Sequence, residues 1–394
     1  MIVRPRIKGF ICTTAHPAGC AANVANAAAS IAPLPNGPSN ALVVGASAGY
    51  GLASRIVAAF GSDAGTLGIS LEKPPTERRT ATAGWYNNVA FEASARARGL
   101  YAETLDGDAF ADEMKSRAID EIRRSMGQVD LLVYSLAAPV RQHPRTGELH
   151  RSVIKPLGET LRAKTLNQDR GVVHEVDITP ASDAETADTV AVMGGEDWEY
   201  WMDSLLEAKV LAPGFKTVAY TYIGSEISWP IYWHGTLGKA KEDLQRAADT
   251  INERLGAIDG EARIAVLKAI VSQASSAIPT IPLYTALLFR VMKDAATHED
   301  CTAHIDRLFR TALYADGSRQ LDETGRFRLD DRELAEEIQA EVGRRWAAVN
   351  TENVTELGDT VGIREDFLKL FGFGIEGVDY DADVDHTLGQ TASS

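Results

Sequence analysis

Short uninterrupted apolar runs alternate along this chain with stretches of helical periodicity. Ala41 to Val44 form one such run, a glycine-rich turn follows, and Leu52 to Phe60 repeat apolar residues at helical spacing. NALVVGASAGYGLASRIVAAFG therefore reads as strand, turn and helix. Thr66 to Leu71 is a second strand, closed by Glu72 before the Pro74 and Pro75 pair that stops any helix. A third strand precedes LDGDAFADEM, and the helix AFADEMKSRAIDEIRRSMGQ is expected to begin near Ala109 and end at Gly127. Val129 opens a fourth strand that runs into a loop by Val140, Phe215 to Ile223 is a fifth, and ARIAVLKAIVSQ is a sixth strand or a helix merging into one. Apolar strands alternating with helices from residue 40 to about 285 predict a parallel sheet covered on both faces. The fold class is α/β, a Rossmann-type doubly wound sheet.

Two regions break that rhythm. Residues 141–201 are polar and turn-rich, which predicts an insertion between strands four and five, and the chain after Phe289 predicts charged amphipathic helices with a frayed end. The whole chain, 1–394, is expected to be one sheet-based body. It divides into an extension (1–40), a dinucleotide-binding half (41–140), a substrate-side insertion (141–201), a catalytic half (202–289) and a helical tail (290–394).

Composition narrows the class without changing it. Forty basic residues against 55 acidic leave a net charge of −15, which repels a polyanion, so no nucleic-acid partner is expected. Cys12, Cys20 and Cys301 neither pair off nor form a metal spacing, which fits reduced thiols and a cytoplasmic protein. His16, His143, His174 and His234 show no metal-ligand spacing, and no metal is expected. The N-terminal stretch is broken by Thr13, Thr14, His16 and Pro17 before it reaches the length of an export signal. Residues 269–289 carry no charge, but Pro279, Pro282 and several polar residues argue for a buried pocket-lining segment over a membrane span.

The first candidate site is the turn Gly45, Ala46, Ser47, Ala48, Gly49, Tyr50, Gly51. Glycines between a strand and a helix allow a tight turn and close backbone approach to a pyrophosphate at the helix N-terminus. Leu71 and Glu72 end the second strand, where an acid accepts hydrogen bonds from a ribose diol and repels a 2′-phosphate; this predicts NADH over NADPH, although Lys73, Arg78 and Arg79 lie nearby. Asp108, with Ala109, either reaches the adenine edge or caps the helix. Leu136 and Ala137 follow the fourth strand, where topology brings the backbone to the nicotinamide side. Tyr232 is the candidate hydroxyl for stabilising or protonating an oxygen, with Lys239 or Lys241 to bind ribose and lower its pKa. Lys241 can join Tyr232 only if the tyrosine precedes the helix proper, and Thr236 is a plausible N-cap for that helix. His234, two residues from Tyr232, is a candidate for tuning it.

Together, MIVRPRIKGFICTTAHPAGC, GASAGYG, the Tyr232-x8-Lys241 pair and KAIVSQASSAIPTIPLY resemble the bacterial trans-2-enoyl reductases that act on acyl-carrier-protein or CoA thioesters, longer relatives of the short-chain dehydrogenases. The resemblance covers nearly the whole chain and implies NADH-dependent reduction of an enoyl thioester; the surplus length, read as a lid and buttress that completes one pocket, predicts a monomer. It also implies that Lys241 is the catalytic lysine, that Tyr222 contacts substrate, and that Ile270, Val271 and Ser272 hold the nicotinamide end. The apolar run to Phe289 then becomes a wall for the acyl chain. The family has a flavin-associated C-terminal part, but the tail has no second dinucleotide fingerprint, so flavin is not expected. A carbonyl reductase using the same tyrosine and lysine, and a non-catalytic NADH-binding protein, are the rival readings.

Overall fold

The computed structural model describes residues 1–8, 11–276, 278–317 and 319–389. Seven strands form one sheet: β1 (Asn40–Val44), β2 (Gly65–Ser70), β3 (Ala102–Asp106), β4 (Val129–Tyr134), β5 (Leu211–Thr221), β6 (Glu261–Val266) and β7 (Phe327–Arg328). Their order is β7-β6-β5-β4-β1-β2-β3 and every pairing is parallel. The order reverses at β1, so the crevice between the carboxyl ends of β1 and β4 is the switch point at which such sheets bind ligands.

Alternate residues of the central strands enter two different cores. Leu42 and Val44 of β1 and Leu132 of β4 face one, while Ala41, Val43, Leu131 and Val133 face the other. Both faces are dry, which is why these strands read as continuous apolar runs. The first core is covered by α4 (Asp112–Ser125), α6 (Glu196–Glu207) and α7 (Thr236–Leu255). The second is covered by α2 (Gly49–Ser62) and α9 (Cys301–Leu308). The numbering also includes α1 (Pro17–Ala29), α3 (Ala83–Ala97), α5 (Asp183–Met193), α8 (Ile281–Asp294), α10 (Glu336–Ala348) and α11 (Thr360–Lys369). Among the described residues no helix is long and apolar enough to cross a membrane.

Several expectations need correction. The 201/202 boundary falls inside α6, whose Trp198 and Trp201 are fully buried against the sheet. The polar run around these tryptophans hides a core helix because two of its acids are buried as well, Asp197 accepting from Lys115 and Tyr134, and Glu199 paired with Arg246. Within the expected insertion, the parts that stand outside the sheet layers are the two hairpins, Val140–Gln142 with Leu149–Arg151 and Leu161–Asn167 with Val172–Ile178, and α5. The helix expected near Ala109 starts at Asp112, so Asp108 does not cap it; its Oδ1 accepts from the Phe110 amide at 3.0 Å in the preceding turn. Thr236 is the first residue of α7 and not its cap: Gly235 takes that place, and the buried Thr236 hydroxyl donates to the Val153 carbonyl at 2.5 Å. The tail is not helical throughout, because β7 adds a seventh strand that escaped detection at two residues long. The expected fraying concerns residues 390–394, outside the described residues, as is Ala277 in the 269–289 segment.

Candidate active site

The glycine turn is built by steric necessity. Gly45 has φ +85°, and a Cβ there would lie 2.3 Å from the Ser135 carbonyl oxygen; one at Gly51 would lie 1.9 Å from the Gly45 oxygen. These contacts press α2 onto β1 and β4, as a dinucleotide turn requires. The N-cap of α2, Ala48, is extended and makes no side-chain cap bond, and the first turn holds no acid. Its amides thus face the crevice with the positive helix end, the right donor set for a pyrophosphate. Ser47 and Ala46 complete the turn. Tyr50 points away from it, donating to the Lys268 carbonyl at 2.8 Å and tying the turn to the end of β6.

At the end of β2, Leu71 is exposed (71%) beside the crevice. The Glu72 carboxylate accepts from the Ser47 hydroxyl at 2.6 Å and from the Thr82 hydroxyl, while its amide is held by Asp106 at 2.7 Å. A Cβ on Gly84 would meet the same carboxylate at 2.0 Å, so α3 approaches closely because residue 84 has no side chain. Lys73, Arg78 and Arg79 are exposed around this corner. Asp108 is exposed one turn beyond β3, whereas Ala109 is buried with its carbonyl taken by Lys115 and Trp201.

Beyond the crevice lies a cavity of about 250 Å³. Leu136 and Ala137 line it after β4, Tyr222 after β5, and Ile270 and Ser272 after β6; Tyr232 and Lys241 close it from the α7 side. Val271 turns instead into packing with the helices. Tyr232 precedes α7 and its ring meets that of Tyr222 edge-on, 5.0 Å between centroids at 84°. Burial pushes the Tyr232 hydroxyl pKa up, so it keeps its proton through the neutral range, and burial lowers the Lys241 amine to about 8. Lys239 points outward and pairs with Glu242 at 2.8 Å. The two lysines are thus separated by geometry where spacing left them open. His234 is exposed and packs beside Trp229, not against Tyr232.

The apolar side of the cavity differs in part from expectation. Ile278 and Ile281 line it, and Ile231 with Ile154, Leu161 and Ile178 from the insertion pack in the same apolar cluster behind them. Leu283 to Phe289 instead fill the core between α8 and α10.

One group was missed. Glu333, in the tail, is fully buried and receives hydrogen bonds from the Tyr222 hydroxyl (2.9 Å), the Tyr284 hydroxyl (2.8 Å) and the Ala269 amide (2.6 Å). Burial raises its carboxyl above the usual range, while those bonds and the buried Lys268 ammonium pull it back. In sequence it stands in DDRELAEEI, where nothing distinguishes it from Asp330, buried against Arg328, or from the exposed Asp331, Glu336 and Glu337.

Known proteins align with this arrangement from end to end. Residues 79–314 match the family described as the trans-2-enoyl-CoA reductase catalytic region, and residues 2–77 match the NAD(P)H binding domain of trans-2-enoyl-CoA reductase. This chain belongs to the trans-2-enoyl-CoA reductase family. The enoyl-[acyl-carrier-protein] reductase [NADH] of Shewanella woodyi is 54% identical over 98% of this chain and 97% of its own length. The corresponding protein of Vibrio parahaemolyticus is 55% identical over the same shares. The crystal structure of Treponema denticola trans-2-enoyl-CoA reductase in complex with NAD superposes with a TM-score of 0.93 at 45% identity, covering 98% of each chain. Residues 321–384 match a third description, an enoyl reductase FAD binding domain. The described residues there do not fit a flavin. Ile338, Val342, Val349, Val354 and Ile363 pack against α8, Phe367, Phe371 and Phe373 join the N-terminal segment, and Glu333 serves the cavity.

Proposed function

We propose that this chain reduces the C2=C3 double bond of trans-2-enoyl thioesters with NADH. The observation that carries the reading is the Tyr232 and Lys241 pair at the mouth of one cavity with Tyr222, beside the glycine turn at the switch point. NADH, when bound, supplies the hydride to C3. The residues of this chain do the rest. Turn amides from Gly45 to Gly51 hold the pyrophosphate, Glu72 accepts from the adenosine ribose diol, and Asp108 with Ala109 borders the adenine. Leu136, Ala137, Ile270 and Ser272 border the nicotinamide end, where Val271 can contribute its backbone only, its side chain being packed among the helices. Lys241 as an ammonium binds the other ribose and keeps the neighbouring hydroxyl polarised. Tyr232 donates a hydrogen bond to the thioester oxygen as negative charge develops there on the enolate, and a proton taken up from water at C2 completes the reaction. Tyr222 borders the substrate, and Ile154, Leu161, Ile178, Ile231, Ile278 and Ile281 accept the acyl chain.

We assign an enoyl thioester of acyl-carrier protein or CoA as the substrate and a monomeric, cytoplasmic working state to the single body 1–394. The insertion and tail act as a lid and buttress around one site. The test is NADH oxidation with C4 to C12 enoyl thioesters on both carriers, with NADPH and a matching ketone as comparisons. Turnover of the enoyl thioester with NADH supports the assignment; reduction of the ketone alone, or NADH binding without turnover of either, overturns it.

A further inference from the structure

Three strand ends meet behind the cavity. Tyr222 follows β5, Ala269 lies just beyond β6, and Glu333 lies just beyond β7, which pairs in parallel with β6 and continues the register as the Leu329 amide donates to Val266 at 2.9 Å. The carboxylate is fully buried and draws donors from each direction: Tyr222 and Tyr284 on Oε1, and the Ala269 amide on Oε2. Removing such an acceptor leaves several donors unpaired in a dry site, so this is an arrangement with consequences.

We propose that Glu333 is a positioning residue for the reduction, acting through Tyr222: it accepts the Tyr222 hydrogen bond, fixes that ring against Tyr232, and leaves Tyr232 as the hydroxyl that donates to the thioester oxygen. A phenol has one proton. With that hydrogen bond committed to Glu333, Tyr222 offers the cavity its ring but no second donor. Tyr232 has no hydrogen-bond partner for its hydroxyl among the described residues, and the edge-on ring of Tyr222 limits where it can swing. Two tyrosine hydroxyls in one cavity are thereby given different jobs by a carboxylate outside it. The same carboxylate holds the Ala269 amide, the first residue of the segment that continues into Ile270 and Ser272 at the cavity wall. The short strand β7 therefore has a use beyond widening the sheet: it delivers one acceptor to the strand ends.

This inference rests on the enoyl-reductase reading, and its test separates the two. Wild type, Glu333→Gln, Tyr222→Phe and the double variant are compared for kcat, KM for the enoyl thioester and Kd for NADH by fluorescence. An inactive wild type overturns the reading of function. With active wild type, the expected result is a kcat loss of about tenfold or more in Glu333→Gln with NADH Kd within about twofold, and a double variant no slower than Tyr222→Phe alone. A kcat within about twofold of wild type in Glu333→Gln, or losses that multiply in the double variant, overturns the positioning role, because a carboxylate that only braces the tail has no reason to act through one phenol. Should Glu333→Gln fail to bind NADH, Glu333→Asp carries the same test: it keeps the charge but withdraws it by one methylene, and its loss has to vanish in the Tyr222→Phe background.

Discussion

The chemistry rests on two side chains whose protonation is set by burial. Tyr232 holds its proton through the neutral range, so it acts as a donor, and Tyr232→Phe removes that donor while leaving the crevice intact. We expect kcat to fall roughly 10²-fold or more, the usual contribution of a positioned proton donor, with NADH affinity within about twofold. An unchanged kcat in stopped-flow turnover would exclude Tyr232 as the donor. Lys241, lowered to about 8 by burial, is an ammonium below that pH and neutral above it. In the proposed mechanism its charge holds ribose and polarises Tyr232, so kcat/KM should be flat below about pH 8 and fall above it, approaching tenfold per unit. The same depressed pKa makes the unfolded chain bind one proton more than the folded chain between about 8 and roughly 10.4, so this group's contribution to stability rises with pH across that window. Lys241→Met should abolish the alkaline limb. At this scale the sequence offered both Lys239 and Lys241; only the start of α7, one residue after Gly235, turns one outward to Glu242 and the other into the cavity.

Among the elements, α6 shows how a polar sequence can hide a core helix. Its Trp198, Trp201, Met202 and Leu205 are fully buried, and its Asp197 is buried with them, accepting from the Lys115 ammonium at 2.9 Å and the Tyr134 hydroxyl at 3.0 Å. This joins α6 to α4 and to the end of β4, directly before the loop that carries Leu136 and Ala137. Asp197→Ala would leave Lys115 charged and unpaired in a dry core, and we expect a loss of about 3–5 kcal/mol in urea denaturation. The companion variant Lys115→Met with Asp197→Leu, which removes both charges, should recover most of that loss. A single variant as stable as wild type would mean that Lys115 finds water or another partner. The glycine turn behaves differently: its three glycines, flanking strand and helix are local features, and their steric reasons appear once Ser135 and Gly45 are seen behind them.

Over the whole molecule, one chain closes its own pocket. The insertion contributes Ile154, Leu161 and Ile178 to the apolar wall, and the tail contributes Glu333. A site completed from within needs no second copy, so sedimentation should give a mass near 42.5 kDa at assay concentrations; a dimer that loses activity on dilution would overturn the monomer. The sequence by itself determined the local half of this protein. Strand-turn-helix periodicity, the positive-φ glycine at 45, the acid at 72 and the spacing of Tyr232 and Lys241 are all written in residues near one another, because backbone conformation and helix phase are short-range properties. The tertiary structure decided what depends on distant partners. Which acids of DDRELAEEI are buried and which of them reaches the cavity, which lysine meets Tyr232, and which face of α6 enters the core follow from packing between segments far apart in the chain, where burial and hydrogen-bond satisfaction outweigh local composition.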